Sequence, residues 1–176
     1  MLQTRDLAEL RVALVHFWLV GMRGGEKGLE ALCRIFPRAD IYTHVVRPEA
    51  LSETLLKHTI HTSFIQKLPG SVRHYQKYLP LMPLALEQLD LRGYDLVISS
   101  ESGPAKGVLV RSDVPHICYC HSPMRYLWDF YQEYLETAGP VTRLFMRPLF
   151  HRLRLWDYAS AQRVDHILAN SSTVAR

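Results

Sequence analysis

Apolar residues in this chain come as short blocks separated by longer amphipathic stretches, a pattern that predicts strands and helices in alternation. The first block, Val12 to Phe17, is an apolar run suited to a strand covered on both faces. Polarity switches at Gly21-Met22-Arg23-Gly24-Gly25. From Glu26 onward Leu29, Leu32, Cys33 and Phe36 recur at helical spacing, with Glu26, Lys27, Glu30 and Arg34 pointing elsewhere. This strand, glycine-rich turn and helix is the unit around which the remaining chain is arranged.

Ala39 to Val46 predicts a second strand closed by Pro48, Pro48 to Lys57 a short helix, and His58 to Ile65 a third strand ended by Pro69-Gly70. Ser71 to Leu79 is helical in pattern, with Val72, Tyr75 and Leu79 on one face. Pro80 and Pro83 break it, and Leu84 to Leu91 is a second helical piece stopped at Gly93. Leu96-Val97-Ile98 predicts a buried strand that runs into a polar, flexible stretch, Ser99 to Gly103. A further strand, His116 to Cys120, delivers His121-Ser122-Pro123 just past its end. Helical patterns follow at Tyr126 to Leu135 and at Val141 to Val164, the second interrupted at Pro148. Asp165 to Ala169 is a last short strand, and Asn170-Ser171-Ser172 has the composition of a helix N-cap.

At least five strands alternating with helices predict an α/β fold built on a doubly wound, mostly parallel sheet. The length, 176 residues, suits one domain with a full core. Charged residues make up 22% of the chain against 48% hydrophobic, the balance of a globular protein with a buried core. The net charge of +4 agrees with an anionic ligand or an anionic membrane surface without selecting either. Asp6 and Glu9 precede the first strand and no apolar segment does, so no signal peptide is expected. No run of apolar residues is long enough to predict a membrane-spanning helix. Cys33, Cys118 and Cys120 lie in core-like segments without a spaced framework, which suits a reducing, cytoplasmic setting.

Candidate chemistry gathers at the predicted strand ends. Glycines at a strand-to-helix turn let backbone approach a ligand, and the helix amino end favours an anion such as a phosphate. A tight turn alone also explains glycines there. Gly21-x-x-Gly24-Gly25-x-x-Gly28 is not G-x-G-x-x-G, and no P-loop occurs, so an ordinary NAD or P-loop site is not expected. His121 shares the same rim with Ser99 to Gly103, which makes one polar crevice. Cys118, Cys120, His121 and His116 are close in sequence, but alternate strand faces separate Cys118 and Cys120 from His121, and no metal site is expected. G-x-S-x-G is absent, and Glu101 lacks an obvious carboxylate partner for acid and base work. Arg143, Arg147, His151 and Arg154 form one stripe of the last long helix. Val141, Phe145, Leu149, Leu153 and Trp156 form another, predicting either a packed helix with a solvated basic face or attachment to anionic lipid. Nucleic-acid binding has only the pI of about 9.1 behind it and is not expected.

Several blocks in order resemble one known family. They are His16 to Lys27, Ile41-Tyr42-Thr43, Ser99-Ser100, Ala105-Lys106-Gly107, Cys120 to Asp129 and Ala169 to Ser172. Together these look like the amino-terminal half of family-4 glycosyltransferases, most similar to the bacterial mannosyltransferases of surface-polysaccharide assembly. The resemblance implies a GT-B architecture of two Rossmann-like domains facing a cleft. Residues 1–176 would form the acceptor-side domain, and the nucleotide-sugar domain would lie outside this chain. It further implies that Gly24 and Gly25 lie beside the donor diphosphate and that His121 contacts the donor sugar as the catalytic residue. Ser99, Ser100, Ser102 and Arg125 would line the acceptor side, with Arg143, Arg147 and Arg154 near the inner face of the membrane. A retaining hexosyl transfer follows, with GDP-mannose as the candidate donor, a glycan or lipid-linked acceptor and no metal cofactor. Phe17 departs from the family pattern, which usually carries an acid there. A non-catalytic Rossmann-like module that binds a phosphorylated ligand or a partner chain is the alternative.

Overall fold

The computed structural model describes residues 7–101 and 103–175, apart from the side chains of Ala8 and Glu101. Its strands are Val12–His16 (β1), Asp40–Thr43 (β2), Ile60–Thr62 (β3), Leu96–Glu101 (β4), His116–Cys120 (β5) and His166–Ala169 (β6). They form one all-parallel sheet in the order β3-β2-β1-β4-β5-β6. The α-helices are Gly24–Ile35 (α1), Glu53–Leu56 (α2), Ser71–His74 (α3), Met82–Glu87 (α4), Tyr131–Thr137 (α5) and Pro140–Ala161 (α6). This is the doubly wound, Rossmann-like arrangement, consistent with the amino-terminal half of a GT-B fold.

Strand alternation divides the core between the two faces. On one face Val12 and Leu14 of β1, Ile41 of β2 and Ile98 of β4 pack with Leu29 and Cys33 of α1. On the other, Ala13, Val15 and Val97 pack with Leu86 of α4 and with Ala105 and Val108 after β4. Val12 to Val15 are therefore fully buried, as the apolar run required. Two satellite clusters extend this core, one around Val45, Ile65, Met82 and Ala85, the other around Met124, Leu127, Phe150 and Leu153.

Several expectations need correction. First, Ser99 and Ser100 are not a flexible tail. They continue β4, paired with Val15 and His16 on one side and with Cys118 and Tyr119 on the other, so both backbones have ladder partners. Second, α1 starts at Gly24, which puts both glycines in its first turn rather than ahead of it. Third, the helix expected from Ser71 winds as α only to His74 and as a 3₁₀ helix from Tyr75 to Leu81, with Pro80 inside it; α4 then begins at Met82. The helix expected from Tyr126 starts only at Tyr131.

Fourth, α6 is continuous through Pro148, because that residue lies on the exposed face, where water reaches the carbonyl its missing N–H leaves free. The face that meets the domain is Phe150, Leu153, Asp157 and Ser160; of the expected stripe Leu153 is buried and Leu149 and Trp156 pack partly, whereas Val141 and Phe145 do not. Val141 and Phe145 are each 69% exposed. Among the described residues no helix is long and apolar enough to cross a membrane.

Candidate functional site at the strand-order reversal

Strand order reverses between β1 and β4, and in open parallel sheets the crevice at such a reversal takes ligands at the carboxyl ends of the strands. Three side chains from three adjacent strands meet there. His16, the last residue of β1, places Nδ1 3.1 Å from the Ser100 carbonyl and 3.3 Å from Ser100 Oγ. Ser100 Oγ in turn lies 2.9 Å from Nε2 of His121, the residue just past β5. The His121 ring stands edge-on to Tyr119, with centroids 4.9 Å apart. All of these point to the α1 side of the sheet, as the two-residue period of the strands dictates.

The glycines of α1 make room for the two imidazoles. A Cβ on Gly25 would lie 3.3 Å from His16 Cε1 and 3.9 Å from His121 Cδ2, and one on Gly28 would lie 2.8 Å from His121 Cε1. A Cβ on Gly24 would meet nothing. Close approach of backbone to side chain thus accounts for Gly25 and Gly28. The helix start still offers donors: the first intrahelical bond runs from Lys27 N–H to the Arg23 carbonyl at 3.0 Å, and the N–H groups ahead of it carry no such bond. The Glu26 carboxylate accepts from Arg23 N–H at 3.0 Å and fixes the turn. These donors and the helix dipole suit an anion beside His121.

Burial, then the neighbouring His121, lowers the pKa of His16 to about 3, against the opposing effect of the Ser100 carbonyl. His121 is also lowered, by partial burial. Both rings are neutral near pH 7. His16 Nε2 is buried and, among the described residues, has no hydrogen-bond partner.

The remaining sequence candidates separate. Ser99 points to the opposite face of the sheet, where its Oγ lies 3.0 Å from His116 Nε2, so it braces β4 against β5 and does not share the crevice with Ser100. Ser102 lies outside the described residues. Arg125 is exposed, paired with Asp129 at 3.1 Å and stacked 4.5 Å over the Phe130 ring. Arg143 donates to the carbonyls of Leu135, Glu136 and Ala138, at 3.0, 3.4 and 3.3 Å, and so closes the end of α5. Arg154 donates to the Leu127 carbonyl at 3.2 Å and lies 4.5 Å over the Tyr131 ring. Neither is a free headgroup contact of the kind a solvated basic stripe would offer; Arg147 is exposed. Phe17 is buried, with its ring 4.3 Å from that of His16 and edge-on to Trp18 at 4.4 Å. Among the described residues no three His, Cys, Asp or Glu side chains converge as a metal set would.

Sequence reasoning missed two features. His16 reads as a core strand residue, and only the register with Ser100 reveals its role. An apolar cavity of about 240 Å³ also opens between the 3₁₀ segment and the last two helices, lined by Trp18, Gln76, Met82, Tyr126, Tyr134 and Phe150 among others. Its lining is scattered over five segments, and no local pattern marks it.

No curated protein and no solved structure matches this chain. A family model does: that of Glycosyltransferase Family 4 covers residues 22–176, from the turn before α1 to the last residue. With most of the chain matched, and the glycine turn, Ser100 and His121 meeting at the reversal of an all-parallel sheet, the chain belongs to glycosyltransferase family 4.

Proposed function

We propose that this chain is the acceptor-side half of a GT-B enzyme that transfers a hexose from a nucleotide sugar, with retention of configuration. Mannose from GDP-mannose is the sugar we favour, and a glycan or lipid-linked molecule is the acceptor. The observation that carries this reading is the placement of His121 and the unbonded N–H groups of α1 at one strand-order reversal. A departing diphosphate carries negative charge, and fixed donors at a helix amino end stabilise charge that develops on it. His121, neutral and braced, offers a hydrogen bond to a sugar hydroxyl rather than a second cation. The oxocarbenium-like character of glycosyl transfer places the positive charge on the sugar, where a neutral imidazole does not oppose it.

In this reading the aromatic cavity lies on the acceptor side, and the remaining nucleotide contacts come from a second domain outside residues 1–176. No resident metal is required, because side-chain cations and the helix end neutralise the diphosphate. The enzyme would work in the cytoplasm, at the inner face of the membrane.

GDP-mannose, GDP-glucose and UDP-glucose titrated in turn against the ¹⁵N-labelled chain test the donor assignment. Amide shifts concentrated at Gly24, Gly25 and Glu26, with ring shifts at His121, support it; shifts elsewhere or none remove the α1 terminus from the site. Sequencing the source gene past Arg176 tests the second domain. A frame that continues into an α/β domain permits transfer assays in which His121→Ala should lower turnover strongly. A frame that stops there leaves a phosphate-ligand or partner-binding module as the surviving reading.

A further inference from the structure

The hydrogen-bond chain His16, Ser100, His121 favours one assignment of protons. The Ser100 carbonyl can only accept, so the 3.1 Å contact requires a proton on His16 Nδ1. A neutral ring has one such proton, which leaves His16 Nε2 as a bare lone pair, and that atom is the one buried without a partner. The same Nδ1–H also faces Ser100 Oγ at 3.3 Å, so the hydroxyl accepts from His16. Its own proton is then free to point to its other partner among the described residues, His121 Nε2 at 2.9 Å. With Nε2 accepting, the neutral His121 ring carries its proton on Nδ1.

We propose that His16 is a positioning residue which, through the Ser100 hydroxyl, holds His121 as the Nδ1–H tautomer. The crevice thereby presents one imidazole N–H donor to a ligand oxygen. A free imidazole side chain in water favours the opposite tautomer, so the relay does work that His121 alone would not. Packing adds to it: the glycines at 25 and 28 leave room for the two rings, and Tyr119 stands edge-on to His121. The role of this donor in sugar binding rests on the glycosyltransferase reading; the tautomer itself does not.

The test is therefore made without any sugar nucleotide. Two-bond ¹H–¹⁵N spectra of the histidine rings are recorded on the ¹⁵N-labelled 176-residue chain at pH 7, with His121→Gln identifying the His121 signals. The expected result is an unprotonated Nε2 and a protonated Nδ1 on His121, and the same pattern on His16. Ser100→Ala should convert His121 to a mixture dominated by Nε2–H, and Ser100→Thr, which keeps the hydroxyl, should restore Nδ1–H. A protonated Nε2 on His121 in the unmodified chain overturns the proposal, and that spectrum decides even if Ser100→Ala fails to fold. An unchanged His121 tautomer in a folded Ser100→Ala chain overturns it equally. Failure of donor titration with these tautomers in place would count against the glycosyltransferase reading alone.

Discussion

Lys106 and Asp157 form a buried ion pair, each side chain 10% exposed, that ties the turn after β4 to the inner face of α6. Asp157 is shared: Trp128 Nε1 donates to its other oxygen at 2.8 Å, and Ser160 Oγ donates to its backbone carbonyl at 2.9 Å. One carboxylate therefore links the turn after β4, the Trp128 stretch and α6. Removing one partner of a buried pair strands the other charge, which costs on the order of 3–5 kcal/mol, whereas replacing both by apolar groups costs far less. Asp157→Asn should therefore lower the urea midpoint sharply, and Lys106→Met/Asp157→Leu should recover most of the loss. A double variant no more stable than the single would show that the pair is not the origin of the effect.

Gly28 and Gly107 both sit against rings, yet their alanine variants should differ in kind. A Cβ on Gly107 overlaps the indole of Trp156, whose Nε1 is held by Glu87 Oε1 at 2.9 Å. The Gly107 backbone is tied to Arg163 through its carbonyl and the indole to Glu87, and overpacking of this sort costs about 1–3 kcal/mol or more. A Cβ on Gly28 instead meets Cε1 of the partly exposed His121 ring at 2.8 Å, so the strain falls on the site rather than on the core. Gly107→Ala should thus unfold at clearly lower temperature. Gly28→Ala should melt close to the unmodified chain while its His121 ring signals shift, and a large melting change there would contradict this account.

The fold was legible where one local pattern decides it. Val12 to Phe17, Leu96 to Ile98 and His116 to Cys120 are apolar runs bounded by polar turns, and each contains a strand of the sheet, β1 fully buried and β5 buried at His116 and Cys118. The site was legible only in part. His121 stands out because it follows a strand, but His16 lies inside an apolar run and gains meaning only from its pairing with Ser100, 84 residues away. Ser99 and Ser100 look equivalent in the sequence, and the strand they continue sends them to opposite faces. The packed face of α6 was legible only in its second half, at Leu149, Leu153 and Trp156, because the helix carries more apolar residues than the domain covers and periodicity alone does not say which stay exposed. Asp157, which hydrophobic periodicity assigns to solvent, lies on the packed face with Phe150 and Leu153.

Three buried histidines make the chain acid-sensitive. Burial lowers the pKa of His16 and His44 to about 3 and that of His116 to about 4, below the usual value of 6.5. Each is neutral in the folded chain and would be protonated in the unfolded one. Stability is therefore full above pH 6.5 and is lost as pH falls from there toward 3 or 4. Each group contributes on the order of 2 kcal/mol of this loss between pH 7.5 and pH 5. Urea midpoints measured across that range should fall steadily on acidification, and His44→Phe, which fills a buried site near Ser63, should flatten the slope. A pH-independent midpoint would mean that the rings remain solvated in the native state.

The outward face of α6 bears on where the enzyme would work. Val141, Leu144 and Phe145 are each 69% exposed and Leu155 59%, and their spacing puts them on one side of the helix. Exposed Arg147, His151 and Arg152 flank them. Leaving several large apolar side chains in water is unfavourable by about 1.5–3 kcal/mol each, relative to a site that buries them. The proposed contact with anionic lipid would bury this face while the flanking arginines meet headgroups. The chain should therefore co-sediment with vesicles containing phosphatidylglycerol and less with neutral ones. Phe145→Glu should weaken that binding by about tenfold or more while leaving the melting temperature unchanged, because the side chain makes no core contact. Arg147→Glu should reduce it further at low salt than at high salt, since headgroup attraction is screened. No sedimentation with either vesicle would end the lipid assignment. Binding that Phe145→Glu does not affect would place the contact on another surface.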